Sequence, residues 1–245
     1  MPTAPPPGLE CAEPVAFARL ARRLEALGYP VAEVETREGR CALLVDRGGP
    51  ARAAILPAEL ARRADGRLDG ALHTLRGLAP SRQLVPLAFG TPTGVTARRR
   101  LRKAGIELAL CEPVDAHVLR FQVNRALASA GPLPSRLARR APLEHEVAVR
   151  RRLRSRSVPV YTLSARGAFL LTDRPLAPGR RFRLEVPVGM IRPRTLARVV
   201  MANHPGASTD PALPTGMAVA FEDLDGPSAA VINRLVEERL AGLAV

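Results

Sequence analysis

The feature that most constrains this chain is a change of hydrophobic period at ASAGPLPS, residues 128–135. Upstream, short apolar runs alternate with amphipathic stretches. Phe17, Leu20, Leu24 and Leu27 recur at helical spacing, and Gly28 supplies a stop. YPVAEVET alternates like a strand, and RAAIL, LVPLAF and IELALCEP are short apolar runs, the first ended by Pro57. A helical stretch around Leu68 to Leu78 and, after a loop, the basic stretch TARRRLRKAG lie between them. Asp115 is placed to cap a last helix with Leu119, Val123, Ala126 and Leu127 on one stripe. Strands alternating with helices point to a parallel sheet covered on both faces. Downstream, EHEVAV, SVPVYTL, AFLLT, RFRLEVPV, LARVVMAN and MAVAFEDL follow one another with turn residues between them and no helix. Such repetition predicts a barrel or sandwich. Asp225 and Pro227 then open a terminal helix with Ile232, Leu235, Val236, Leu240 and Leu243 on one face.

The expected organisation is a flexible tail over 1–14, an α/β domain over 15–127, a linker over 128–135 and an all-β domain over 136–245. A chain of 245 residues suffices for two cores, at roughly 100–150 residues per domain. An apolar content of 47% marks a globular protein. There is no run of 18 consecutive apolar residues, so no transmembrane helix is expected. The proline-rich start, MPTAPPPGLECAEP, lacks the basic and apolar regions of a secretory signal, which predicts a cytoplasmic protein. Cys11, Cys41 and Cys111 are widely spaced and form no C-x-x-C pair, in keeping with a reducing compartment.

The formal charge is +14, and of the 37 basic residues only Lys103 is a lysine. The arginine bias, with abundant Ala, Gly and Pro, matches the coding of a GC-rich genome, so part of the charge reflects codon usage. The remainder favours anionic partners such as phosphates, nucleic acid or acidic protein faces. Aromatic content of only 3%, with no Trp, argues against a single-strand nucleic-acid binder, which stacks bases on aromatics. The four histidines are scattered, and no zinc spacing, P-loop, Rossmann glycine pattern or nucleophile elbow occurs. No catalytic or metal site is therefore expected.

Two features follow the linker: the R-x-x-x-R pair Arg136 and Arg140, and Thr162-Leu163-Ser164-Ala165-Arg166-Gly167 leading into AFLLT. With the strand order and the closing GMAVAFEDL run, they resemble the PilZ family over about 110 residues of this chain. The resemblance implies a six-stranded barrel with a C-terminal helix and a cyclic di-GMP ligand. It implies ligand contacts from Arg136, Arg140, Thr162, Ser164 and Gly167. Guanidinium groups suit such a ligand, because they make forked hydrogen bonds to phosphate and stack on flat bases. Ser164 would donate to a phosphate or base, and Gly167 would permit close backbone approach or a positive φ. Thr162 stands where the family carries Asp or Asn, and Ala218 where it often has glycine. Loss of one charge-assisted hydrogen bond costs roughly 1.5–3 kcal/mol.

The first half resembles a response-regulator receiver, chiefly through Cys111-Glu112-Pro113-Val114-Asp115. Glu112 would occupy the position of the receiver lysine, and Pro57 that of the phosphoacceptor aspartate. Glu10 and Glu13 are poor candidates for the paired metal-binding acids, while Thr91 could supply the hydroxyl residue. Proline is no nucleophile and Glu112 would repel phosphate, so the resemblance implies a pseudo-receiver that cannot be phosphorylated. Arg98, Arg99, Arg100, Arg102 and Lys103 form its densest basic cluster, either a solvated helix face or a docking surface. The leading expectation is a cyclic di-GMP-responsive signalling adaptor with a protein partner. The alternatives are a ligand-independent PilZ-like scaffold and, behind it, a basic nucleic-acid-binding regulator. Oligomeric state is left open by the sequence.

Overall fold

The computed structural model describes residues 13–35, 41–45, 52–62, 65–78, 84–90, 94–129, 139–143, 145–151, 154–206 and 212–245. The chain divides into two compact units: residues 1–133 with the terminal Val245, and residues 134–244.

The first unit runs α1 (Glu13–Ala26), β1 (Val31–Glu35), β2 (Cys41–Val45), β3 (Ala53–Pro57), a 3₁₀ turn (Ala58–Ala61) and α2 (Arg67–Leu78). It continues with β4 (Val85–Phe89), α3 (Val95–Lys103), β5 (Leu108–Leu110) and α4 (Ala116–Ser129). The sheet order is β1-β2-β3-β4-β5. β3, β4 and β5 pair in parallel, as their linking helices require. β2 lies antiparallel to β3, and β1 antiparallel to β2. The run CALLV of β2 is a strand that the sequence reading missed. The order also differs from the 2-1-3-4-5 of doubly wound receiver sheets, because the first strand lies at the edge.

Alternate residues of each strand face opposite layers. Ala54, Leu56, Ala88 and Ala109 pack with Leu68, Leu72 and Leu75 of α2 and Leu101 of α3. Phe89 faces the other way, edge-on to Phe17 of α1 with ring centroids 5.2 Å apart. α4 packs on β3, β4 and β5 and touches α1. The sheet is thus covered on both faces. The Asp115 carboxylate accepts the His117 N–H at 2.6 Å, which is the capping contact expected for α4.

The second unit begins with β6 (Ala141–Pro142), β7 (Glu146–Arg151), β8 (Arg154–Ser164) and β9 (Gly167–Leu171). β10 (Arg181–Glu185), β11 (Arg194–Asn203), β12 (Gly216–Phe221) and α5 (Gly226–Gly242) complete it. The strands run β8-β7-β10-β11-β12-β9, and β9 pairs back to β8, closing a six-stranded antiparallel barrel. The short β6 adds to the outer side of β8. Every strand-like run read downstream of the period change is a barrel strand. Leu163, Phe169, Leu170, Leu184, Val199 and Val219 are among the buried residues of this unit. α5 packs on β6 and β8, burying Ile232, Val236 and Leu240, which recur every four residues.

Two boundaries shift. α4 extends to Ser129, so Ala128 and Ser129, read as linker, are helical; the rest of that linker lies outside the described residues. Glu13 and Pro14, read as tail, open α1, and residues 1–12 lie outside the described residues.

Candidate functional site

The candidate site of the second unit is built where β8 turns into β9. Thr162, Leu163 and Ser164 are the last three residues of β8, and Gly167 is the first of β9. The turn is tied from three directions. Ser164 Oγ donates to the Gly167 carbonyl at 3.0 Å and accepts the Arg166 N–H at 3.4 Å. The Phe221 N–H, at the end of β12, donates to the Arg166 carbonyl at 3.0 Å. Ser164 is fully buried and Thr162 nearly so, while Arg166 is exposed. The Ser164 hydroxyl thus closes its own turn, as short polar side chains commonly do.

Gly167 is required by space rather than by dihedral freedom. It is absent from the glycines with positive φ, but a Cβ on it would meet the Val219 carbonyl oxygen at 2.1 Å. The close approach expected of this glycine is therefore an approach to β12. Gly216 does the same at the other end of the β9–β12 pair, where a Cβ would meet the Leu170 carbonyl oxygen at 2.2 Å. Ala218 lies between them, opposite Phe169.

The arginine arm enters beside this turn. β6 pairs antiparallel with β8, with Ala141 opposite Leu163 and Pro142 opposite Thr162. Arg140 is the residue immediately before β6, next in the chain to Ala141. Arg140 is half-buried, and its neighbour Arg139 is exposed and ion-paired with Glu237 of α5. Arg136 lies outside the described residues. Next to the arm, Leu143, His145, Leu235, Glu238 and Arg239 line a cleft of about 380 Å³ between α5 and the β6–β7 segment. Arg239 Nε donates to the Pro142 carbonyl at 3.3 Å, fastening α5 to β6.

The barrel surface holds charge clusters that the motif reading missed. Glu185 is buried on β10, yet its carboxylate contacts Arg150 at 3.2 Å, Arg194 at 3.0 Å and Arg192 at 3.7 Å. Glu222 binds Arg181 through two hydrogen bonds, 2.8 and 3.2 Å, and Arg198 through one at 2.9 Å. The Arg181 hydrogen bonds hold the Glu222 carboxyl below its ordinary range and raise the Arg181 guanidinium. Asp223 is likewise held low, first by the Leu196 N–H and then by the Thr195 hydroxyl. The sequence signal was the period-two pattern Arg181, Arg183, Glu185, which puts three charges on one strand face.

In the first unit, Pro57 ends β3, is buried, and precedes the 3₁₀ turn with φ −60° and ψ 128°. Glu112 is exposed two residues beyond β5. Both stand at the carboxyl edge of the parallel strands, on either side of β4. Thr91 lies outside the described residues. The basic cluster on α3 is partly used within its own unit. Arg100 donates to the Ala61 and Arg62 carbonyls at 3.2 and 2.8 Å, and Arg102 to the Val245 carbonyl at 2.7 Å. Arg98, Arg99 and Lys103 are exposed. Among the described residues no His, Cys, Asp and Glu group is arranged to hold a metal ion. No helix among them is long and apolar enough to cross a membrane.

No protein-family model matches the chain, and no curated protein matches it. Among solved structures it is similar to the Bacillus subtilis inhibitor of motility MotI/DgrA, at 16% identity and a TM-score of 0.37. That match covers 45% of this chain and 53% of the other, so this chain spans about half the length of the inhibitor. It is also similar to the PilZ domain with c-di-GMP of YcgR from Escherichia coli, at 18% identity and a TM-score of 0.34. There the match covers 44% of this chain and 94% of the other. With TM-scores this low, the barrel assignment rests on its own strand pairing.

Proposed function

We propose that this protein is a signalling adaptor whose barrel binds cyclic di-GMP and whose first unit docks a protein partner. One observation carries the reading. Arg140 immediately precedes Ala141, which pairs with Leu163 beside Ser164, and this supports a reading in which the arginine arm and the β8–β9 turn face one ligand. Arg136 and Arg140 would grip phosphate and stack on guanine. The Thr162–Gly167 turn would supply the shape against which the ligand lies. Ser164 holds that turn and Gly167 sets its distance from β12, so both act on the ligand through the backbone they position. Thr162 brings a hydroxyl in place of the family's carboxylate or amide, which lowers the expected affinity.

The first unit works without phosphoryl transfer in this reading. Pro57 and Glu112 offer neither a nucleophile nor a positive charge for phosphate. Exposed Arg98, Arg99 and Lys103 on α3 suit an acidic protein face. A second reading, a barrel that serves as a protein scaffold without nucleotide, draws on the burial of Thr162 and Ser164.

Calorimetric titration of the full chain with cyclic di-GMP tests the choice, with Arg136→Ala/Arg140→Ala as the control. Micromolar binding, about −8 kcal/mol, lost in the double variant is the expected result. Absence of heat from the wild type at high ligand concentration would overturn the sensor and leave the scaffold.

A further inference from the structure

The β10–β11 hairpin of the barrel carries a feature unrelated to the nucleotide motif. The hairpin extends past its strands: the Val186 N–H donates to the Pro193 carbonyl at 2.9 Å, and Val188 and Ile191 exchange hydrogen bonds of 2.8 and 3.1 Å. Gly189 and Met190 form the two-residue turn between them, with Gly189 at φ 59°, a left-handed value suited to glycine. At this tip Met190 is 101% exposed and Ile191 53% exposed. Directly behind it stand Arg192 and Arg194, and beside them Arg150 on β7. All three guanidinium groups reach the single buried carboxylate of Glu185. One carboxylate neutralises one of them, so a net positive charge remains, held in place around a fixed anchor. Arg183, opposite Arg150 in the register, is exposed on the same face and adds to it, with Asp223 as its acidic neighbour.

We propose that this hairpin is a membrane-surface contact. Met190 and Ile191 would enter the boundary between headgroups and acyl chains, and Arg192, Arg194 and Arg150 would bind anionic headgroups. The groups are ordered along the hairpin as such a surface requires: an apolar tip, then cations, then the barrel. Interfacial binding is strengthened by buried apolar area together with attraction to anionic lipid. A protein partner fits this tip less well, because a stable protein interface covers about 800 Å² per partner. The side chains of Met190 on the turn and Ile191 beside it supply a small fraction of that area.

The test is co-sedimentation of the full chain with phosphatidylcholine–phosphatidylglycerol vesicles, and with phosphatidylcholine vesicles alone. The overall charge draws any variant to anionic lipid, so the decisive protein is the charge-neutral Met190→Ser/Ile191→Ser. Its substitutions lie on exposed side chains, and its urea midpoint should equal that of the wild type. The wild type should bind the anionic vesicles, and the double serine variant should bind about tenfold more weakly at equal salt. Arg192→Gln/Arg194→Gln should weaken binding and flatten its salt dependence. Equal binding of wild type and double serine variant would overturn the proposal and leave only general charge attraction. Failure of the wild type to bind anionic vesicles at low salt would also overturn it.

Discussion

A Cβ added to Gly167 would lie 2.1 Å from the carbonyl oxygen of Val219. The obstacle is backbone, so no rotamer change relieves it, and the β9–β12 pair that helps close the barrel would have to separate locally. Gly167→Ala is expected to cost about 1–3 kcal/mol. Urea denaturation would show this as a lower midpoint with an unchanged slope. A wild-type midpoint would return Gly167 to the role of ligand contact alone.

Ser164 makes a subtler contribution. Its hydroxyl joins the two sides of the β8–β9 turn, so Ser164→Ala should lower stability by about 1 kcal/mol even without nucleotide. In Ser164→Thr the hydroxyl remains, but the extra methyl meets a fully buried site. Denaturation of the two variants side by side separates the lost hydrogen bond from the overfilled space.

Stability should fall in acid through Glu222 and Asp223. Both carboxyls are held below their ordinary range in the folded state, Glu222 chiefly by Arg181 and Asp223 chiefly by the Leu196 N–H. A lowered folded value means that the unfolded chain takes up the proton first. Their contribution is complete above the unfolded values, about 4.3 and 3.9, and is lost as pH falls through the lower folded ones. Glu222→Gln/Asp223→Asn should therefore be less stable at neutral pH and show a flatter profile below about pH 4. Urea midpoints across that range provide the check.

α5 begins at a capping residue visible in the sequence. The Asp225 carboxylate accepts the Ser228 N–H at 2.7 Å. Asp225→Ala should cost about 1 kcal/mol, and Asp225→Ser much less, since serine caps as well. Helical circular dichroism followed during thermal unfolding distinguishes the two.

The sequence alone determined the elements whose signal is local. Ile232, Val236 and Leu240 mark the buried face of α5, and alternation such as Arg181-Phe182-Arg183-Leu184 marks barrel strands, because periodicity and capping depend on near neighbours. The turn motif was legible for the same reason, as Ser164 and Gly167 are three residues apart. Long-range neighbours were not legible. Val219 as the partner of Gly167, the gathering of Arg150, Arg192 and Arg194 on Glu185, and the antiparallel edge formed by β1 and β2 were decided by strand pairing in the tertiary structure. Strand order and register bring together residues tens of positions apart, and nothing in the local pattern of either strand specifies which partner it takes. Ser164 and Gly167 could be singled out in the sequence, and the fold shows what they do locally: Ser164 closes the β8–β9 turn and Gly167 allows the close approach of β12.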